Sequence, residues 1–356
     1  MNHSVKDNDK PDSKLHPPLA PNELVSIVIP AYNAAFTISD TVKSALAQTH
    51  SKLEVVVVDD GSSDDTNNIV KDLQNTDSRL RLVTQENSGV ALARNTGIDN
   101  SSGKYLAFLD ADDLWHPEKI SRQLQTLVQS NSEFVYSPFR VIDEDSNVTW
   151  TPRFYNFSGN ARLAMLQVHL SGNGSSVLCT RELVRQVGGF DQRLHLSGTQ
   201  GCEDFLFAAK AAAIGNVACA PWFLIGLRRL DGSMSSDSHR MVRSREKAIE
   251  IIVEESTYPI SMKILRWSRA HTAVGTFAIA FRDKDYKRAL GALKVGCGNS
   301  VSTFMVVLSK LWMQLALREN LSEQKQHYFN FDISSGPTLA PSGLIQKRLQ
   351  YLKSIS

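Results

Sequence analysis

Leu53-Glu54-Val55-Val56-Val57-Val58-Asp59-Asp60-Gly61-Ser62-Ser63-Asp64 is the most informative stretch of the chain. Its first half is apolar and β-branched with almost no alternation. Such a run reads as a strand buried on both faces, because a sheet with one wet face would alternate. The strand stops in two aspartates and a turn. A helix is expected from about Asp65 to Asn75, with Ser63 or Asp64 as its N-cap. The same order recurs on either side. Val25 to Ile29 is a short apolar run ending at Pro30, and helical spacing follows at Ile38, Val42, Ala45 and Leu46. Arg81 to Thr84 reads as a third strand, and Asn87-Ser88-Gly89 opens a helix running through Ile98. Tyr105 to Leu109 reads as a fourth strand that ends in Asp110-Ala111-Asp112-Asp113. Strands alternating with helices predict an α/β fold, Rossmann-like, with a mostly parallel sheet and helices on both faces.

After Asp113 the pattern changes. Helices are expected at Pro117–Ser130 and Arg162–Leu170, with strands at Phe134–Val141 and Ser176–Cys179 and a short pairing segment at Asn147–Trp150. A helix stops at Gly188-Gly189, and Glu203 to Ile214 reads as an amphipathic helix. From Met241 onward the chain reads as a C-terminal helical extension. Its most apolar stretch, Val301 to Leu317, is 17 residues long and contains Lys310, too short and interrupted for a membrane span. Arg282, Lys284, Lys287, Arg288 and Lys294 precede it, so it reads either as an interfacial helix or as one packed on the main domain. The expected organisation is a disordered tail at 1–23, an enzyme-like domain at 24–238, a helical region at 239–330 and a tail at 331–356. The first 21 residues hold four of the twelve prolines and no apolar stretch of the kind a secretory signal carries.

Of the 356 residues, 42% are hydrophobic and 21% charged, enough apolar chain for a sizeable core. The net charge of +2 argues against nucleic-acid partners. Its distribution is uneven. Residues 1–225 hold 19 Lys and Arg against 26 Asp and Glu, whereas 226–356 hold 20 against 11. An acidic front half suits a cation site, and a basic back half suits phosphates or an anionic leaflet. Four cysteines show no CxxC and no zinc spacing, so reduced thiols in a cytoplasmic protein are expected.

In open parallel sheets ligands bind beyond the carboxyl ends of the strands. Here those ends are polar. Asp110-Ala111-Asp112, a DXD pattern, suits Mn²⁺ or Mg²⁺ bound by one or two carboxylates plus ligand phosphates. Asp113 can serve there or cap the next helix. Tyr32, after Pro30, offers a ring to stack on a base, and Asp60 an acceptor for the N3–H of uracil. Asp59 reads as a brace for its turn. No GxGxxG, P-loop or nucleophile elbow is present.

These residues resemble the family 2 glycosyltransferases of the GT-A fold. The likeness runs through Ser26–Asn33, Gln48-Thr49, Val57–Thr66, Asn87–Gly97, Gly103–Asp113, Gly188–Asp191 and Gly201–Asp204, covering roughly residues 24–235. It implies inverting transfer of a sugar from a nucleotide-diphospho-sugar. By the same likeness Pro30, Tyr32 and Asp60 hold the nucleoside, while Asp110 and Asp112 serve the sugar nucleotide and its metal. Arg94 and Asn95 shape the donor pocket. Asp204, beside Glu203, matches the catalytic base, with Glu203 the alternative. One departure stands out. The family often carries a histidine where this chain has Leu230, after Arg228-Arg229. Asp231 or His239 then substitutes, or phosphates and water complete the shell; Arg228 and Arg229 are candidates to clamp the diphosphate.

The expected function is a UDP-sugar-dependent transfer to a glycan or lipid-linked saccharide acceptor in cell-surface polysaccharide synthesis. The expected location is the cytoplasm, with peripheral contact at the inner face of the plasma membrane through the basic helices. Two other readings remain open at this stage. A nucleotidyltransferase would need a Gly/Arg-rich triphosphate loop that the sequence lacks. A non-catalytic nucleotide-sugar-binding scaffold would have no need of Asp110, Asp112, Glu203 and Asp204.

Overall fold

The computed structural model describes residues 22–152, 154–230, 237–282, 284–319 and 327–330. Strands β1 (Val25–Ala31), β2 (Leu53–Asp59), β3 (Leu80–Thr84) and β4 (Tyr105–Phe108) form the parallel half of a sheet. Helices α1 (Ile38–Leu46), α2 (Thr66–Gln74) and α3 (Val90–Asp99) connect them. The N-cap of α2 is Asp65, while Asp64 Oδ1 accepts from the Thr66 N–H at 3.0 Å.

Next come β5 (Leu114–Trp115), α4 (Lys119–Ser130), β6 (Phe134–Tyr136), β7 (Phe139–Ile142) and β8 (Val148–Trp150). The chain continues through α5 (Arg162–Gln167), a 3-10 turn at Gly174–Ser176, β9 (Leu178–Thr180), α6 (Arg181–Val187), α7 (Arg193–Leu196) and α8 (Glu203–Ile214). It closes the sheets with β10 (Val217–Cys219) and β11 (Ile225–Arg228). The large sheet has the order β10-β6-β9-β4-β1-β2-β3, and β9 runs antiparallel to both neighbours. A second sheet has the order β5-β11-β7-β8.

The single strand expected at 134–141 is therefore two strands in different sheets. Ser137-Pro138 separates them, and proline cannot donate to a ladder. The fold is α/β, with apolar clusters on both faces of the large sheet. Alternate residues of β1 and β4 point to opposite sides. Val28, Leu106 and Phe108 join one cluster with α5, α8 and α9, whereas Ile27, Ile29, Tyr105 and Ala107 join another with α1 and α4. Helix α8 is not amphipathic as its sequence suggested. Phe205, Leu206, Phe207, Ala208, Ala209, Ala211 and Ala212 are all buried, because α5 and α9 cover the side that the sheet leaves open.

The helical extension is α9 (Ser238–Glu255), α10 (Met262–Arg282) and α11 (Tyr286–Glu319), the last kinked at Ser300. Among the described residues no helix is long and apolar enough to cross a membrane. The side chains at 311–317 lie outside the described residues, as do both tails as far as 1–21 and 331–356 are concerned.

Candidate active site

The strand ends gather as the sequence suggested, and each loop there is braced by its neighbour. The turn after β2 holds the loop after β1. Asn33, in the left-handed region at φ 49°, donates its N–H to Ser62 Oγ at 2.9 Å and accepts from the Ser63 N–H at 2.8 Å. Ala35 N–H donates to Asp64 Oδ2 at 2.9 Å. Tyr32 is thereby left 53% exposed at the mouth, while Pro30 is buried at the end of β1. Asp59 braces its turn, accepting from the Ser62 N–H at 3.0 Å and Asn67 Nδ2 at 2.8 Å.

Asp60 is buried and accepts three hydrogen bonds: from Gln85 Nε2 at 2.7 Å, Ser88 N–H at 3.0 Å and Gly89 N–H at 2.9 Å. It fixes the entry to α3. A carboxylate offers about four lone-pair directions, so one direction is left for a ligand N–H. At Gly89, φ is +89° and an added Cβ would lie 2.6 Å from His195 Nδ1, so the position requires glycine. His195, on α7, thus closes over the Asp60 loop.

Arg94 joins two acidic groups. It is buried, and its Nη2 donates to Asp110 Oδ1 at 2.6 Å. Burial works against its charge, but Asp110, Asp204 and Glu203 outweigh that and raise its pKa. Arg94 thus ion-pairs with Asp110 in the turn after β4, and the α8 carboxylates act on it only through their charge. Asn95 turns elsewhere: its Nδ2 donates to the Phe190 carbonyl and its Oδ1 accepts from the Phe190 N–H, both at 2.8 Å. Its amide is committed to pinning the loop before α7 rather than to lining a donor pocket.

The turn at Gly174–Ser176 supplies a residue that sequence reasoning missed. Ser175 Oγ accepts from the Asp110 N–H at 3.0 Å and donates to Asp113 Oδ2 at 2.6 Å. Asp113 also accepts from the Arg228 N–H at 2.9 Å and is fully buried, so it is a brace and not a helix cap. Burial, with Asp112 and Asp110 close by, pushes its carboxyl well above the usual range. Burial and the Asp110 charge push Asp112 up to about 6. No motif marks Ser175; only its packing against the DXD turn does.

Arg228 departs from its expected role. Nε donates to the Asp112 carbonyl at 2.8 Å, Nη1 to the Asp143 and Glu144 carbonyls at 3.0 and 2.6 Å, and Nη2 to Ser146 Oγ at 3.0 Å. These long-range contacts commit it to bracing the loop between β7 and β8, not to clamping a diphosphate. Arg229 is exposed, and its N–H donates to the Ile142 carbonyl at 3.0 Å. Of the two stand-ins for the histidine missing at Leu230, Asp231 lies outside the described residues, and His239 Nε2 sits 3.1 Å from Arg288 Nη1.

The two α8 carboxylates differ. Glu203 is buried and both its oxygens accept from the Gly201 N–H, at 3.1 and 2.9 Å; burial raises its pKa. Asp204 is half-buried, and Oδ1 accepts from the Phe205 N–H at 2.7 Å. Glu203 is structural in its contacts, and Asp204 is the more accessible of the pair.

Among the described residues no group of three or more His, Cys, Asp and Glu is arranged to hold a metal. Two carboxylates are present, and Asp112 has no ion pair with the described cations while its charge is unfavourable in place. That donor set fits a hard divalent ion which draws its remaining ligands from phosphates.

A mostly parallel sheet, with an aromatic, two aspartate-bearing turns and an arginine at its carboxyl edge, has the GT-A architecture. The fold matches solved glycosyltransferases. One is S. aureus TarS 1-349 in complex with UDP-GlcNAc, with a TM-score of 0.59 and 15% identity, over 88% of this chain and 99% of that one. Another is the mannosyltransferase PcManGT from Pyrobaculum calidifontis in complex with GDP-Man and Mn²⁺, with a TM-score of 0.53 and 21% identity, over 85% of this chain and 88% of that one. Residues 26–186 match the model of Glycosyl transferase family 2. A curated relative is the UDP-Glc:alpha-D-GlcNAc-diphosphoundecaprenol beta-1,3-glucosyltransferase WfgD of Escherichia coli. It is 43% identical over 126 residues, which are 35% of this chain and 49% of that protein. The chain spans about half the length of the curated relatives it matches first.

Proposed function

We propose that the protein is an inverting glycosyltransferase that moves a sugar from a nucleotide-diphospho-sugar, with UDP-sugars as first candidates, to a saccharide on a lipid-linked acceptor. The carrying observation is the buried Arg94, which ion-pairs with Asp110 while the charges of Asp204 and Glu203 act on the same guanidinium, so the α8 carboxylates lie within electrostatic reach of the DXD turn. Support for the chemistry comes from the names of its relatives: WfgD uses UDP-Glc on a diphosphoundecaprenol-linked sugar, and the two solved neighbours hold UDP-GlcNAc and GDP-Man.

In this reading Tyr32 stacks on the base and Asp60 receives one base N–H. Asp204 accepts the proton of the acceptor hydroxyl while that oxygen attacks the anomeric carbon from the face opposite the diphosphate. The bond from the anomeric carbon to the phosphate oxygen breaks, and its electron pair leaves on the nucleoside diphosphate. Asp110 and Asp112 would hold Mn²⁺ or Mg²⁺, which supplies charge neutralisation for the diphosphate when bound.

Residues 24–238 form the catalytic domain in this proposal and 239–330 its helical appendage. The appendage exposes Phe281, Tyr286, Leu290, Val295, Val301 and Met305 near the exposed Lys284, Lys287 and Lys294. Apolar and basic side chains together favour peripheral binding to an anionic leaflet, where a lipid-linked acceptor resides. The deciding experiment is transfer from UDP-glucose, UDP-GlcNAc and GDP-mannose, with Mn²⁺, to a polyprenyl-diphosphate-linked sugar. Donor turnover by the wild type that is lost in Asp204→Asn supports the reading. Equal turnover in both proteins removes Asp204 as the base, and no turnover with any donor removes the reading itself.

A further inference from the structure

Between the end of α5 and the turn Gly174–Ser176, several buried polar atoms have no partner in the protein. His169 Nε2, Ser171 Oγ and both Nδ2 and Oδ1 of Asn173 make no hydrogen bond. Ser171 is 2% and Asn173 6% exposed. Loose packing is not the reason, because Ser176 Oγ pins the backbone through the Ser171 and Asn173 carbonyls at 2.7 and 3.0 Å. Buried polar groups are almost always hydrogen-bonded. A run of orphans on a pinned backbone therefore calls for a polar partner from outside the chain.

The ends of the stretch place that partner. At one end the His169 ring lies edge-on to Phe205, centroids 5.5 Å apart, within range of the Asp204 charge. At the other end, an added Cβ on Gly174 would lie 3.0 Å from Arg94 Nη2 and 3.6 Å from Asp110 Oδ1. The stretch thus runs from the base end of the site to its metal end. Arg245, from α9, sets its guanidinium carbon 3.9 Å from the centre of the Phe205 ring, with Nε and Nη2 buried and unpartnered. A sugar in transfer has to lie along this line, since its anomeric carbon sits between the diphosphate and the base. Sugar hydroxyls both donate and accept, as do serine, the asparagine amide and a neutral imidazole. Burial lowers the His169 pKa and favours its neutral form.

We propose that His169, Ser171 and Asn173, with Arg245 beside them, hydrogen-bond the hydroxyls of the transferred sugar and select which sugar is accepted. The inference rests on the glycosyltransferase reading and adds its sugar subsite. Side chains kept for a ligand contribute nothing to the empty fold. Ser171→Ala and Asn173→Leu are therefore expected to keep or raise the melting temperature of the ligand-free full-length protein.

Calorimetry with Mn²⁺ then compares UDP with UDP-glucose, UDP-galactose and UDP-GlcNAc, and GDP with GDP-mannose. In the two variants nucleotide affinity should stay within twofold of wild type. The extra affinity and epimer preference conferred by the sugar should fall tenfold or more, as when a hydroxyl-reading site loses its partner. A lower melting temperature in both variants, or an equal loss for nucleotide and nucleotide-sugar, makes the residues structural and overturns the inference. Unchanged sugar preference overturns it too, as does an effect confined to the acceptor KM. If the wild type binds nucleotide but the variants discriminate sugars normally, only this inference fails. If the wild type binds no nucleotide at all, the underlying reading fails with it.

Discussion

Arg228→Met separates a brace from a diphosphate clamp. Arg228 donates to three carbonyls and one hydroxyl. Hydrogen bonds from a charged donor contribute ~1.5 kcal/mol each at the low end, so four give an additive ceiling of about 6 kcal/mol. Glu144 is exposed and Asp143 half-buried, so water replaces their share. The Ser146 hydroxyl is buried, and the Asp112 carbonyl has to keep its turn in place. The expected loss is ~3 kcal/mol, a fall in melting temperature of roughly 5 °C or more for a chain of this size. Arg228→Lys should lose most of the same amount, because one ammonium cannot reach acceptors set out for a planar fork. Urea unfolding measures the loss, and UDP titration at 10 °C measures binding by the folded fraction. Affinity should stay within about threefold. Wild-type stability with a tenfold or larger fall in UDP affinity would refute the brace and restore the clamp.

Other outcomes follow from the same geometry. Asp204→Asn should lower kcat by roughly 10²–10⁴-fold with little change in donor KM, whereas Glu203→Gln should mainly destabilise the Gly201 turn; equal kcat losses without destabilisation would reverse the assignment. Burial pushes the Asp191 carboxyl upward, but hydrogen bonds from Arg193 and Lys210 outweigh it and hold the group well below its usual range. Its contribution is then complete above the unfolded value of about 4 and is lost as pH falls toward the folded one. Urea midpoints of Asp191→Asn should therefore flatten on the acid side relative to wild type, and parallel curves would contradict the pairing. Vesicles of phosphatidylglycerol should sediment with the protein, and Lys284→Glu with Lys287→Glu should weaken that several-fold; equal binding to neutral vesicles would deny the basic patch its role.

The parallel half of the fold was legible because β2 is buried on both faces, and that leaves an unbroken apolar signature. The short strands β5, β10 and β11 have only two to four residues each, too few to show a period. Helix α8 misled for the opposite reason: its outer face is apolar because α5 and α9 cover it, and no local pattern announces a distant neighbour. The site divides along the same line. Asp59, Asp60, Asp110 and Asp112 stand at strand ends and could be placed from the sequence. Arg228 and Asn95 could not, because their partners lie 82–116 and 95 residues away in the chain. Ser175 lacked any motif, and Glu203 and Asp204 were separable only once the Gly201 N–H was seen to engage Glu203.

On the proposed function the DXD edge of the sheet is a metal-assisted nucleotide-sugar site. Calorimetric titration of UDP into the full-length protein, with and without Mn²⁺, beside Asp112→Ala, tests it most directly. The expected result is binding that Mn²⁺ strengthens at least tenfold in the wild type and leaves unchanged in the variant, whose metal-free melting temperature is equal or higher. Binding of neither UDP nor GDP by the wild type, with or without metal, would contradict it.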